Sequence, residues 1–139
     1  MNAPRPRKVR LDELPGETPR SGVTRRRMTG ERLELIAYRY EPGTTFPRHA
    51  HPAEQLTLVQ AGALVFVFDD GETHLAAGEV LSIPGGIAHA AYVPEDAPGP
   101  TETLNVFTPV RAKGAQARQC ASPTSPRWAC ASALVPLDK

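Results

Sequence analysis

A chain of 139 residues, 40% of them apolar, is long enough for one hydrophobic core and too short for several. Its net charge of +1 is near zero but unevenly spread, and no apolar run approaches the length needed to cross a bilayer. Fifteen prolines and eleven glycines cut the sequence into pieces too short for a helical domain, which points to an all-β fold.

Residues 1–20 carry four prolines and read as a loose arm. The arm as a whole, basic and with its prolines in the first twenty residues, is taken to run to residue 30. Residues 1–32 hold nine Lys/Arg against four Asp/Glu, and the remainder seven against eleven. Arg25-Arg26-Arg27 is the densest basic cluster. Without interleaved aromatics it reads as a solvated arm or the first strand of a dimer, not as a nucleic-acid patch. Leu33 to Tyr40 reads as a strand, and Glu41-Pro42-Gly43 turns it. Gln55 to Gln60 is the next strand. Ala63 to Phe68 is continuously apolar and ends at Asp69-Asp70-Gly71, a hairpin signal. Thr73 to Ala76, Val80 to Ile83, His89 to Val93 and Thr103 to Thr108 complete a run of short strands, with 94–100 as a loop. From residue 112 the composition shifts to Ala, Ser, Pro and Gln without a period, and 112–139 reads as a mobile tail. Cys120 and Cys130 lie there, away from the other chemistry-bearing residues, and read as free thiols.

Three of the four histidines fall at metal-ligand spacing. His49 and His51 share a face if they lie on one strand, because side chains alternate with period two. Gln55 has the same parity and Glu54 the opposite. An unbroken strand therefore selects Gln55 as a further donor, whereas a bulge at Pro52 would hand that place to Glu54. His89 follows the tight turn Pro84-Gly85-Gly86 and can meet the other two from a neighbouring strand. His74, after the Asp-Asp-Gly turn, reads as a surface residue. Histidine nitrogens with one amide oxygen suit zinc, nickel, cobalt, iron(II) or manganese, and the imidazoles must be neutral to bind. Such an uncharged ligand set leaves the full charge of a divalent ion in place. That favours Lewis-acid chemistry on a carbonyl or hydroxyl over oxygen chemistry.

The two motifs run Gly43, five residues, His49-x-His51, three residues, Gln55, six residues, Gly62, and then Gly78, five residues, Pro84-Gly85-Gly86, two residues, His89. Together they resemble the two signatures of the cupin superfamily, over roughly residues 31–111. Gln55 stands where Glu is usual and Val93 where Asn is usual. The resemblance implies a single cupin jelly-roll barrel over 31–111, flanked by the arm at 1–30 and the tail at 112–139, with one divalent metal held by His49, His51, Gln55 and His89. The stretch from His49 to Gln55, with Asn105-Val106-Phe107-Thr108-Pro109-Val110-Arg111, is similar to the small pectin-degradation cupins that linearise unsaturated uronates. That likeness implies Phe107 and Arg111 beside the metal, and Asn105 where that family has an acid. The ligand set is also similar to the bacilysin-pathway isomerases and the cupin polyketide cyclases.

The expectation is a metal-dependent isomerase, cyclase or lyase acting on a small oxygenated molecule. An iron(II) dioxygenase and a non-catalytic ligand-binding module are the alternatives. Tyr38 and Tyr40 share one strand face, and Tyr38 is a candidate hydroxyl donor to substrate. Leu56 and Leu58 have the parity opposite to Gln55, and Val65 to Phe68 are apolar on both faces, which points to a homodimer. Without an apolar leader the chain reads as cytoplasmic.

Overall fold

The structure, a computed structural model, describes residues 5–110. Arg111, Cys120, Cys130 and the expected tail at 112–139 lie outside the described residues.

Apart from a 3₁₀ turn at Leu11–Glu13, the regular structure is all β. In chain order the strands are β1 (Glu17–Arg20), β2 (Val23–Thr29), β3 (Glu34–Tyr40), β4 (Thr45–His49), β5 (Glu54–Ala61), β6 (Ala63–Phe68), β7 (Gly71–Ala76), β8 (Val80–Ile83), β9 (His89–Tyr92) and β10 (Thr101–Thr108). They form a six-stranded sheet, ordered β1-β2-β3-β10-β5-β8, and a four-stranded sheet, ordered β4-β9-β6-β7. Every strand pair is antiparallel, and the architecture is a single jelly roll.

Alternation sets which residues face inward. Along β3, Glu34, Ile36, Tyr38 and Tyr40 are buried, and along β10, Thr101, Thr103, Asn105 and Phe107 are. β10 lies between β3 and β5, with Asn105 opposite both Ile36 and Thr57, and Phe107 opposite Gln55. The opposite sheet supplies Leu64, Phe66, Leu75 and Ala91 to the same core. Burying each large apolar side chain contributes roughly 1.5–3 kcal/mol before ordering costs.

Three expectations are corrected. The loose arm is not what forms over residues 17–29: β1 and β2 extend the six-stranded sheet, with β2 paired along its length to β3. Arginines on β2 hid the strand. Arg25 and Arg27 pair with Glu17 at 2.8 and 3.0 Å, which lets charged residues occupy a half-buried strand face. The unbroken strand from His49 to Gln55 also does not form. β4 ends at His49, residues 50–53 are loop, and Gln55 belongs to β5. Pro52, which supplies no backbone N–H, sits in that break. Lastly, β6 does not offer an open outer face. Val65 is buried within the chain, between its cross-strand neighbours His74 and Tyr92. Among the described residues, no helix is long and apolar enough to cross a membrane.

Candidate metal centre

The two motifs are tied by one turn. Gly86 takes φ +84°, a conformation open to glycine, and its N–H donates to the His51 carbonyl at 2.8 Å. A Cβ at Gly85 would collide with the Pro52 carbonyl oxygen. The turn that delivers His89 therefore packs directly on the loop that carries His51. His49, at the end of β4, is the register partner of His89, at the start of β9.

The three imidazoles converge. Ring centroids lie 4.4 Å apart for His49 and His89, 5.2 Å for His51 and His89, and 5.5 Å for His49 and His51. One ligand nitrogen from each lies within 4.8 Å of the others, and the cluster is compatible with a single metal ion. Its protonation is set locally. Nδ1 of His49 lies 2.9 Å from the Pro47 carbonyl oxygen, Nδ1 of His51 2.9 Å from that of Ala53, and Nδ1 of His89 2.8 Å from that of Ile87. A carbonyl oxygen only accepts, so each Nδ1 carries the proton and donates. In the neutral ring that leaves Nε2 as the lone pair, the form a metal requires.

Gln55 completes the inner face. Its Oε1 is 3.1 Å from His51 Nε2, and its Nε2 donates to Thr57 Oγ1 at 2.8 Å. Thr57 donates to Asn105 Oδ1 at 2.6 Å, and Asn105 Nδ2 donates to Thr103 Oγ1 at 2.7 Å and to the Ile36 carbonyl at 3.4 Å. Gln55, Thr57 and Asn105 are only 6%, 0% and 2% exposed, so this chain is shielded from water. Glu54 points outward and is exposed. His74 is exposed as well and pairs with Glu72 at 3.3 Å, outside the cluster.

A cavity of about 50 Å³ adjoins the histidines, walled by Tyr38, Tyr40, Phe46, Leu64, Phe66 and Phe107. Phe107 sets its ring edge-on to His51 at 5.6 Å. Tyr38 stacks on Tyr40 at 5.3 Å, and Phe46 meets Tyr40 edge-on at 5.2 Å. Burial, and then the neighbouring Tyr38, hold the Tyr40 hydroxyl well above its ordinary pKa, so it stays protonated. A larger groove of about 560 Å³ lies between the N-terminal segment and β2–β3. It gathers no such set: Arg10 pairs with Asp12, Arg39 with Glu102, and Arg26 donates to the Asp12 and Leu14 carbonyls.

The structure thus brings His49, His51, Gln55, His89, Tyr38, Asn105 and Phe107 around one cavity, while Arg111 lies outside the described residues. Thr57 and Thr103 escaped the sequence reading. The signal was available: Thr57 shares parity with Gln55 and Thr103 with Asn105, so two polar stripes run along strands that otherwise read as core.

A family model described as "Cupin domain" matches residues 37–107. The chain belongs to the cupin family. Among solved structures, this cupin resembles KdgF from Halomonas sp. (TM-score 0.65, 20% identity, covering 72% of this chain and 92% of that one). It also resembles the polyketide cyclase RemF from Streptomyces resistomycificus (TM-score 0.63, 19% identity, 78% and 88%). A third is a cupin-superfamily sugar phosphate isomerase from Silicibacter pomeroyi (TM-score 0.63, 22% identity, 75% and 76%). These likenesses show the fold. No protein with a curated description matches the sequence.

Proposed function

We propose that this cupin is a metal-dependent enzyme that isomerises, cyclises, opens or dehydrates a small oxygenated molecule without changing its oxidation state. The observation that carries this reading is the uncharged donor set. One ligand nitrogen from each histidine lies within 4.8 Å of the others, and His51 Nε2 stands 3.1 Å from Gln55 Oε1, so a neutral His51 whose Nδ1 donates to Ala53 brings two acceptors together there. Two lone pairs at that distance repel, and a cation beside both reverses the sign. The residues present fit a divalent ion held by His49, His51, His89 and Gln55. When bound, it supplies Lewis-acid polarisation of a carbonyl or hydroxyl oxygen.

The chain's own residues do the rest. Phe107, Phe66 and Phe46 keep water from the reacting end of the substrate, which raises the strength of every polar contact there. Among the described residues the cluster contains no carboxylate, so nothing there offsets the positive charge of the ion. Tyr38 lines the same cavity and is the candidate donor that orients substrate oxygen. Asn105 is engaged through both its oxygen and its amide nitrogen, which suits a supporting role. The polyketide cyclase and the sugar phosphate isomerase among the structural likenesses lend support to this class of chemistry.

The test is to load the protein with zinc, nickel or iron(II) and offer sugar phosphates, unsaturated uronates and polyketone-like substrates in D₂O. Turnover or deuterium incorporation by the zinc or nickel form, without oxygen uptake, is the expected result. Turnover confined to the iron form, with stoichiometric oxygen consumption, would establish a dioxygenase instead.

We also propose a homodimer through β5 and β8. Leu56 and Val80 are 44% and 58% exposed on neighbouring strands, more apolar surface than a lone barrel needs to present. Sedimentation at micromolar concentration should give a dimer, and a monomer there would remove this inference.

A further inference from the structure

We infer that Thr57 and Asn105 are positioning residues for metal binding: through them a main-chain carbonyl dictates which end of the Gln55 amide faces the histidines. The inference rests on the metal reading above and goes beyond it.

Side-chain amides are nearly symmetric in shape, so only hydrogen bonds decide which way one points. The Ile36 carbonyl cannot donate. Asn105 must therefore turn its Nδ2 toward it, and that nitrogen also donates to Thr103. This leaves Asn105 Oδ1 facing Thr57, which gives it its single hydroxyl proton at 2.6 Å. Thr57 Oγ1 has then only lone pairs to offer Gln55. The Gln55 amide nitrogen fills that place at 2.8 Å and approaches Asn105 Oδ1 at 3.5 Å. A flipped Gln55 would set its oxygen against the oxygens of both Thr57 and Asn105. Oε1 is thereby aimed at His51 and the cluster.

The direction of each bond follows from the one before, starting from a group whose polarity is covalently set. β10 makes this possible by placing Asn105 opposite Ile36 on one side and Thr57 on the other. Since Thr57 and Asn105 are shielded from water, no solvent molecule substitutes for a missing link. Without the chain, the amide can present its NH₂ to the cation, which repels it.

The experiment measures zinc affinity of the full chain by competition with a chromophoric chelator. Thr57→Val keeps the side-chain shape and removes the hydroxyl. It should weaken zinc by about 10- to 100-fold, the range seen for partners that orient metal ligands. Thr57→Ser restores the hydroxyl and should restore the affinity. In a Gln55→Leu background, Thr57→Val should cost nothing further, because no amide is left to orient. Asn105→Leu breaks the chain one link away and carries the same expectation as Thr57→Val, should that variant fail to fold. The proposal is overturned if folded Thr57→Val binds zinc as tightly as the wild type, or if the loss is equal with and without Gln55. Absence of zinc binding by the wild-type chain would sink the metal reading itself, and this inference with it.

Discussion

Polar side chains do two different jobs in two regions of this cupin. In the N-terminal hairpin, Glu17 bridges Arg25 and Arg27 with Glu17 and Arg27 each 38% exposed. In the barrel interior, Gln55, Thr57 and Asn105 bond to one another with almost no access to water. The contact distances are alike, and the surroundings are not. At the hairpin, water reaches Glu17 and Arg27, although the Arg25 side chain is only 14% exposed, and a broken Glu17–Arg27 pair is resolvated. In the interior a broken link strands a donor or an acceptor. Surface polarity therefore tolerates change, whereas the interior chain acts as a unit with a defined direction.

The contrast can be tested from its strongest point outward. Replacing His89 by Ala deletes one of three converging imidazoles, and the zinc affinity measured by chelator competition should fall by more than the ~100-fold reach of an orienting partner. Thr57→Val comes next: it removes the two short hydrogen bonds of the Thr57 hydroxyl and leaves the Gln55 amide and the Asn105 oxygen only their 3.5 Å contact, and chemical denaturation should show about 1–3 kcal/mol of lost stability. Glu17→Gln should be the mildest, below about 1 kcal/mol. Its pH dependence gives a second check. Burial alone would raise the Glu17 pKa, but hydrogen bonds from Arg25 and Arg27 outweigh it and lower it from its ordinary value. A depressed carboxyl stabilises the fold above its unfolded pKa, and that contribution disappears as pH falls through the folded value. As pH falls from the ordinary glutamate range through the lowered folded value, the wild type and Glu17→Gln should therefore converge in stability. A Glu17→Gln loss as large as that of Thr57→Val would erase the distinction between the regions.

Most of the barrel was legible because its strands alternate. Ala63–Phe68 and Val80–Ile83 form with the bounds their apolar runs suggest, and β3, β5, β7, β9 and β10 differ from expectation only at their ends. β1 was not legible, and β2 only as one of two readings of the Arg25-Arg26-Arg27 cluster. Arg25 and Arg27 share a strand face with the buried Val23, and the partner Glu17, brought alongside by the hairpin, makes those arginines compatible with a strand. Polarity read residue by residue gives no sign of a partner eight or ten positions away. The exposure of β6 was misread for a related reason: which outer side chains are covered depends on the neighbouring strands, here those carrying His74 and Tyr92.

The spacing of His49, His51 and His89 between glycine turns was enough to name the candidate ligands, because ligand type and turn chemistry are local properties. Alternation also pointed to Gln55, although through a continuous strand that the chain does not form. Only the folded barrel decided which nitrogen of each ring faces inward, since that depends on the Pro47, Ala53 and Ile87 carbonyls taking up a particular path. It alone joined Ile36, Asn105 and Thr57 to Gln55. Those residues come from three strands far apart in sequence, and a hydrogen bond acquires its direction from every partner at once.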